Sequence, residues 1–319
     1  MYGLGRAALL GLATTVGLAA MGQQALAADP ASCETVRMAD PGWTDITATN
    51  GVAGVLLNAL GYKQKVETVA VPIIFQGLKT KQIDVFLGNW MPAQSTFLDP
   101  LLQEKSVELV RANLENAKFT LAVPSYVAKE GVKSFADLAK FADRFDKTIY
   151  GIEPGAPANQ NIQRMLDKKD FGLDGWKLVE SSEQGMLAQA VRKARGKDWI
   201  VFLAWQPHPM NTKIDLTYLA GGDAYFGANY GSTTVNTLSR AGYGGECPNA
   251  AKLFGQLAYT VEMENQIMAA IVDDKKDPKD AATAYLKAHP DLVGPWLAGV
   301  QTRDGKDGLK AVQAALGLK

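Results

Sequence analysis

The sequence predicts an α/β protein whose mostly parallel sheets are joined by helical crossovers. Three observations carry this. Strand-like and helix-like segments alternate along nearly the whole chain. No repeat or low-complexity linker interrupts them. The 319 residues leave about 290 after an N-terminal leader, enough for one large domain or two ordinary ones.

The leader spans residues 1–27. Arg6 is its one basic residue, Ala7 to Met21 is uncharged and apolar, and Ala25-Leu26-Ala27 fits the small-x-small rule for cleavage. A membrane anchor is the alternative, but no lipobox cysteine follows the apolar stretch. The later sequence contains no run near the roughly twenty apolar residues that a span needs. Export to the periplasm is therefore expected. The two cysteines, Cys33 and Cys247, would meet an oxidising compartment there, which predicts a disulfide; two buried free thiols are the alternative.

In order, Cys33–Met38 reads as a strand running into the DPGWTD loop. Ala48–Leu60 reads as a helix closed by Gly61. Lys65–Ala70 alternates and reads as a strand, Val71–Lys79 as a helix or turn, and Ile83–Leu87 as a strand ending at Gly88-Asn89-Trp90. Ser106–Leu109 and Phe119–Val123 read as two further strands. Tyr126–Glu130 suits one turn of helix, and Ser134 to Asp137 resembles a capping box. Thr148–Ile152 is a strand leading into the turn-rich EPGAPAN. Asn159–Lys168 is a helix candidate, Trp176–Glu180 a strand, and Ser182 caps a helix to about Arg195. Trp199–Ala204 is a strand ending at Trp205, and Ile214–Leu219 another. From Gly221 to Gly245 the chain is glycine-rich. Ala250–Ala270 is a long helical tract with room for one break. Lys279–His289 and Leu292–Ala298 are shorter helical candidates, and the tail is weakly helical.

Lysine plus arginine equals aspartate plus glutamate, at 33 each, so no basic excess favours nucleic acid. The two histidines, His208 and His289, stand far apart and no CxxC is present, which gives a metal site or redox dithiol little support. No GxSxG elbow, GxGxxG or P-loop lysine occurs in a fitting context. His208, between Pro207 and Pro209, is the best catalytic candidate, with Asp45 as a possible base. The same prolines would equally hold the loop that carries Trp205. Glu153, near a helix start, suits a cap as well as a ligand group.

Three of the six tryptophans stand in short turn-prone settings: Trp43 in DPGWTD, Trp90 in LGNWMP and Trp205 in FLAWQPHP. Any one of them could be a packing residue. Together they place aromatic faces at strand ends and loops, where open α/β sheets bind ligands. Convergent rings suit a cation that has no N–H to donate.

With these features the chain resembles the periplasmic substrate-binding proteins of quaternary-amine ABC importers, especially the choline-binding type. The resemblance covers essentially the whole mature chain and rests on ADPGWTD, DVFLGNWMP, YGIEPG, ESSEQGML and AWQPHPM. It implies a two-lobed periplasmic binding protein fold of type II, with a ligand cleft between two α/β lobes joined by a hinge. Lobe I is then expected from 28–117 plus 212–319 and lobe II from 118–211. It also implies a Cys33–Cys247 disulfide and an aromatic box of Trp43, Trp90, Trp205 and Phe119, the last replacing a tyrosine common in that type. Asp45 is implied as partner of the choline hydroxyl; capping the residues after it is the alternative. Where the choline-binding type usually has asparagine, this chain has Ala156, and Asn159 is expected to reach in instead. The resemblance implies a non-catalytic monomer without cofactor or metal, handing choline to a membrane permease. Glycine betaine and carnitine are the alternatives, and a choline-ester hydrolase is a more distant one.

Overall fold

The computed structural model describes residues 1–2 and 29–318; the remainder of the expected leader lies outside them. The strands are β1 (Thr35–Asp40), β2 (Lys63–Thr68), β3 (Val85–Met91), β4 (Val107–Pro124), β5 (Thr148–Tyr150), β6 (Lys177–Val179), β7 (Val201–Gln206), β8 (Leu216–Tyr218) and β9 (Ser232–Arg240). They form one sheet in the order β2-β1-β3-β9-β4-β7-β5-β6, with β8 also on β4. At one end β1 runs parallel to β2 and β3. At the other, β5 runs parallel to β6 and β7. Parallel neighbours need long connections, and helices supply them.

The middle of the sheet departs from the expected parallel order. β9 is antiparallel to β3 and β4, and β4 is antiparallel to β7 and β8. The two segments read as separate strands, near 106–109 and 119–123, are the ends of one 18-residue strand. Between them the pairing with β9 slips at several points, and Asn116 takes a left-handed backbone conformation, φ 61°. Such irregularities bend a strand without ending it. β4 thereby serves both halves of the sheet: Val107–Lys118 pairs with β9 and Lys118–Ala122 with β7.

The longer helices among the described residues are α1 (Thr44–Ala59), α2 (Val71–Lys79), α3 (Ser95–Gln103), α4 (Pro157–Asp167), α5 (Glu183–Gly196), α6 (Pro248–Gln256), α7 (Val261–Val272), α8 (Pro278–Ala288) and α9 (Gly308–Leu316). The long tract expected at 250–270 is α6 and α7, broken between Gln256 and Val261. The Ser134–Asp137 capping box is present. The first half of the sheet packs Met38, Phe86, Leu56, Leu57 and Ile74, all fully buried. The second half is more aromatic, with Phe145 lying 5.8 Å from Trp176 and 5.2 Å from Trp199 between ring centroids. Those two tryptophans, outside the turn-prone settings, are core residues.

A disulfide joins Cys33, just before β1, to Cys247 at the entrance to α6. After β7, Leu216–Tyr218 pairs with Ala122–Pro124, and Phe226 packs on Phe119 and Phe135. The chain then passes Gly231, where φ is +71° and an added Cβ would lie 2.1 Å from the Phe119 carbonyl oxygen. Only glycine fits there. Among the described residues, no helix is long and apolar enough to cross a membrane.

Candidate ligand-binding site

The site begins where β1 stops. Asp40 Oδ1 accepts the backbone N–H of Gly42 at 2.7 Å and of Trp43 at 3.2 Å, and Oδ2 accepts the Thr47 hydroxyl at 2.7 Å. The aspartate thus folds the DPGW turn against the N-terminus of α1. Trp43 becomes the residue before the first helical turn and Asp45 falls inside it, where the positive helix end favours a carboxylate.

β3 brings Trp90 alongside. Its indole Nε1 donates to Asp45 Oδ2 at 2.9 Å. This approach depends on Gly88, because a Cβ there would lie 2.6 Å from Ile46 Cδ1 and push β3 away from α1. From the second half, β4 and β7 place Phe119 directly opposite Trp205 in the antiparallel register, so both rings project from the same face. The β5 end adds Ile152, and Glu153 Oε1 accepts the Trp43 indole N–H at 2.9 Å.

Trp43, Asp45, Trp90, Phe119, Ile152 and Trp205 line one small space. The rings are tilted against one another rather than stacked: Trp90 and Phe119 are 5.6 Å apart at 43°, Phe119 and Trp205 6.3 Å at 51°. A second small recess adjoins, where Ala93, Gln94, Pro157 and Ala158 meet Trp43, Trp90 and Phe119.

The electrostatics centre on Asp45. Its side chain is buried, Oδ2 is taken by Trp90, and Oδ1 has no partner among the described residues. Burial pushes its carboxyl up to about 8; the Glu183 charge adds to the rise and Asp40 adds less, while the Trp90 bond opposes it. Burial likewise raises the Glu153 carboxyl, the Trp43 bond working against it. Glu264 on α7, wholly buried behind, is raised well above the carboxylate range by burial and then by Asp45. Among the described residues no lysine or arginine forms an ion pair with Asp45, Glu153 or Glu183. The site is rings plus acid, which suits a permanent cation.

Trp43, Asp45, Trp90, Phe119 and Trp205, which the sequence picked out, meet at this one space. Asn159 does not line this space. Its Oδ1 accepts the Ile152 N–H at 3.1 Å, while Nδ2 donates to the carbonyls of Ile152 and Glu153, both at 3.0 Å, and to Glu180 Oε1 at 2.9 Å. The amide is spent on shaping the YGIEPG turn. Ala156 precedes the first turn of α4 and lines neither space. His208 also stands off the cavity: Nδ1 accepts the Met210 N–H at 2.9 Å, Nε2 faces Glu183 Oε1 at 3.3 Å, and the ring packs on Trp205 with centroids 5.2 Å apart. Sequence reasoning missed Ile152 as a wall and Glu153 as an indole acceptor, although both lie in the motif YGIEPG. It also missed Glu183, inside ESSEQGML. Among the described residues no histidine, cysteine or carboxylate group of three or more could hold a metal.

The family described as the substrate binding domain of ABC-type glycine betaine transport systems matches residues 34–288. A solved ABC-transporter choline binding protein in complex with choline is 53% identical, with a TM-score of 0.89 over 91% of this chain and 100% of that one. An ABC-transporter choline binding protein solved in an unliganded semi-closed conformation is 54% identical, with a TM-score of 0.83 over 90% and 100%. The glycine betaine/carnitine transport binding protein GbuC of Listeria monocytogenes is 31% identical over 167 residues, covering 52% of this chain and 54% of the relative.

Proposed function

The chain belongs to the family of substrate-binding domains of ABC-type glycine betaine transport systems, and on that premise we propose that its aromatic space holds choline. Like the solved relatives it is a two-lobed α/β binding protein, the substrate-binding component of an importer. The proposed ligand-contacting residues are Trp43, Asp45, Trp90, Phe119 and Trp205, with Ile152 completing the wall. The trimethylammonium head would lie among the rings, where it needs no hydrogen-bond acceptor. The observation that carries the choice of choline is the buried, unpartnered Oδ1 of Asp45, which the choline hydroxyl would satisfy. A carboxylate ligand such as glycine betaine or carnitine would meet Asp45 as like charge unless that group stayed protonated.

The lobes are proposed as 28–117 plus the late segment and 118 onward. The pairing of β8 with β4 supports a second crossing near Ser232 rather than residue 212. The protein is placed in the periplasm, where closed, loaded protein would dock on the permease as a monomer. Binding without catalysis is supported by His208, whose two ring nitrogens are both engaged away from the cavity. The deciding experiment is calorimetric titration of the purified chain with choline, glycine betaine and carnitine. Choline should bind tightest. Unchanged heat and unchanged tryptophan emission at millimolar choline would reject this reading.

A further inference from the structure

We infer that Glu183 is the positioning residue that locks the closed cage, receiving the N-terminus of α1 from one half of the sheet and the His208 ring from the other. The inference rests on the proposed cation site. Glu183 is the first residue of α5, behind the Ser182 cap, whose hydroxyl accepts the Gly185 N–H at 3.0 Å. Its Oε2 accepts the Thr44 backbone N–H at 3.1 Å, and its Oε1 accepts the Thr44 hydroxyl. Thr44 N–H is the first free donor of α1. One carboxylate therefore lies against two helix N-termini, each a ready anion site. Its side chain is 1% exposed.

His208 completes the arrangement. Its Nδ1 accepts the Met210 N–H, so the neutral ring carries its proton on Nε2 and directs it at Glu183 Oε1, 3.3 Å away. Gln184 adds a bond from Nε2 to the Gly42 carbonyl at 3.3 Å. Glu183 does not line the ring-walled cavity. Instead it touches what holds the walls. Thr44 sits between Trp43 and Asp45, and His208 is the ring beneath Trp205. α1 follows β1 and α5 precedes β7, on opposite sides of the central β9 and β4. Opening the cleft between them must part Thr44 from Glu183, so these bonds belong to the closed form alone. An interaction made in one of two states shifts the population toward that state.

The test uses the full chain with choline as the probe, read by stopped-flow tryptophan fluorescence and by small-angle scattering without ligand. Glu183→Gln leaves one oxygen where there were two, so its NH2 must face either the Thr44 backbone N–H or the His208 N–H. Its choline dissociation rate should rise by about tenfold while association stays within about threefold. Its ligand-free scattering should report a larger radius than wild type. Thr44→Val should move both readouts the same way by less, and added to Glu183→Gln it should cost nothing further; should Glu183→Gln not fold, Thr44→Val carries the test alone. Dissociation within twofold of wild type in the folded variants, or a loss confined to association, overturns the lock. If wild type itself does not bind choline, the cation reading fails, and the lock is then judged by scattering, where identical wild-type and variant profiles overturn it.

Discussion

The ring side of the cavity and its acid side are built on different principles. Phe119 and Trp205 are held by sheet register and packing, so each ring could shift slightly without breaking a side-chain hydrogen bond. Asp45 and Trp90 are tied by a buried hydrogen bond, and Asp45 keeps one oxygen unsatisfied. Packing tolerates small errors, whereas buried polar groups punish them. On the proposed reading, both halves would supply ring walls, and only the first would add the acid that meets the choline hydroxyl.

Trp90→Ala should do the greatest damage, because it removes a wall and strands the Asp45 carboxylate together. We expect choline affinity to fall by about a hundredfold or more, roughly 3 kcal/mol; Trp205→Ala should cost clearly less. Equal losses in calorimetry would erase the distinction between the two sides. Asp45→Asn should weaken choline by about ten- to thirtyfold and glycine betaine by less; the reverse order would assign a carboxylate ligand.

The pH response sharpens the same contrast. In the ligand-free protein the Asp45 carboxyl lies at about 8, so below that pH it is mostly protonated. A bound cation and a donated hydroxyl both favour the ionised form and lower this value. Choline binding should then release a proton, and affinity should rise with pH by up to about tenfold per unit until pH 8, then level. Glycine betaine, needing the protonated acid, should bind more weakly as pH rises through 8. Calorimetry in two buffers of different ionisation enthalpy measures the proton, and Asp45→Asn should abolish the slope. The smallest effect belongs to Phe119→Tyr, which keeps the ring: choline affinity should stay within about threefold, with any larger change pointing to a role for the missing hydroxyl.

Much of the site was legible because strand ends and turn residues announce where side chains are displayed. Trp43, Trp90 and Trp205 each stood within two residues of Pro or Gly, and α2 fell on its expected residues. Asn159 was harder to read because an amide near a turn can serve ligand or backbone equally, and its bonds to Ile152 and Glu153 are visible only in the fold. Glu183 was invisible because its partner Thr44 lies 139 residues away. β9 was hidden by the flanking glycines, although STTVNTLSR is nearly all buried. α1 was expected to start at Ala48, since nothing local reveals that Asp40 would fold the turn back and start the helix at Thr44.

The position of β9 also imposes an order of assembly. The second half draws on contiguous chain, from the later part of β4 through β8, and can form as that chain emerges. The first half has a gap between β3 and β4 that only Ser232–Arg240 can fill, and its disulfide waits for Cys247. A chain delivered N-terminus first thus exposes Trp43, Asp45 and Trp90 earliest and houses them last.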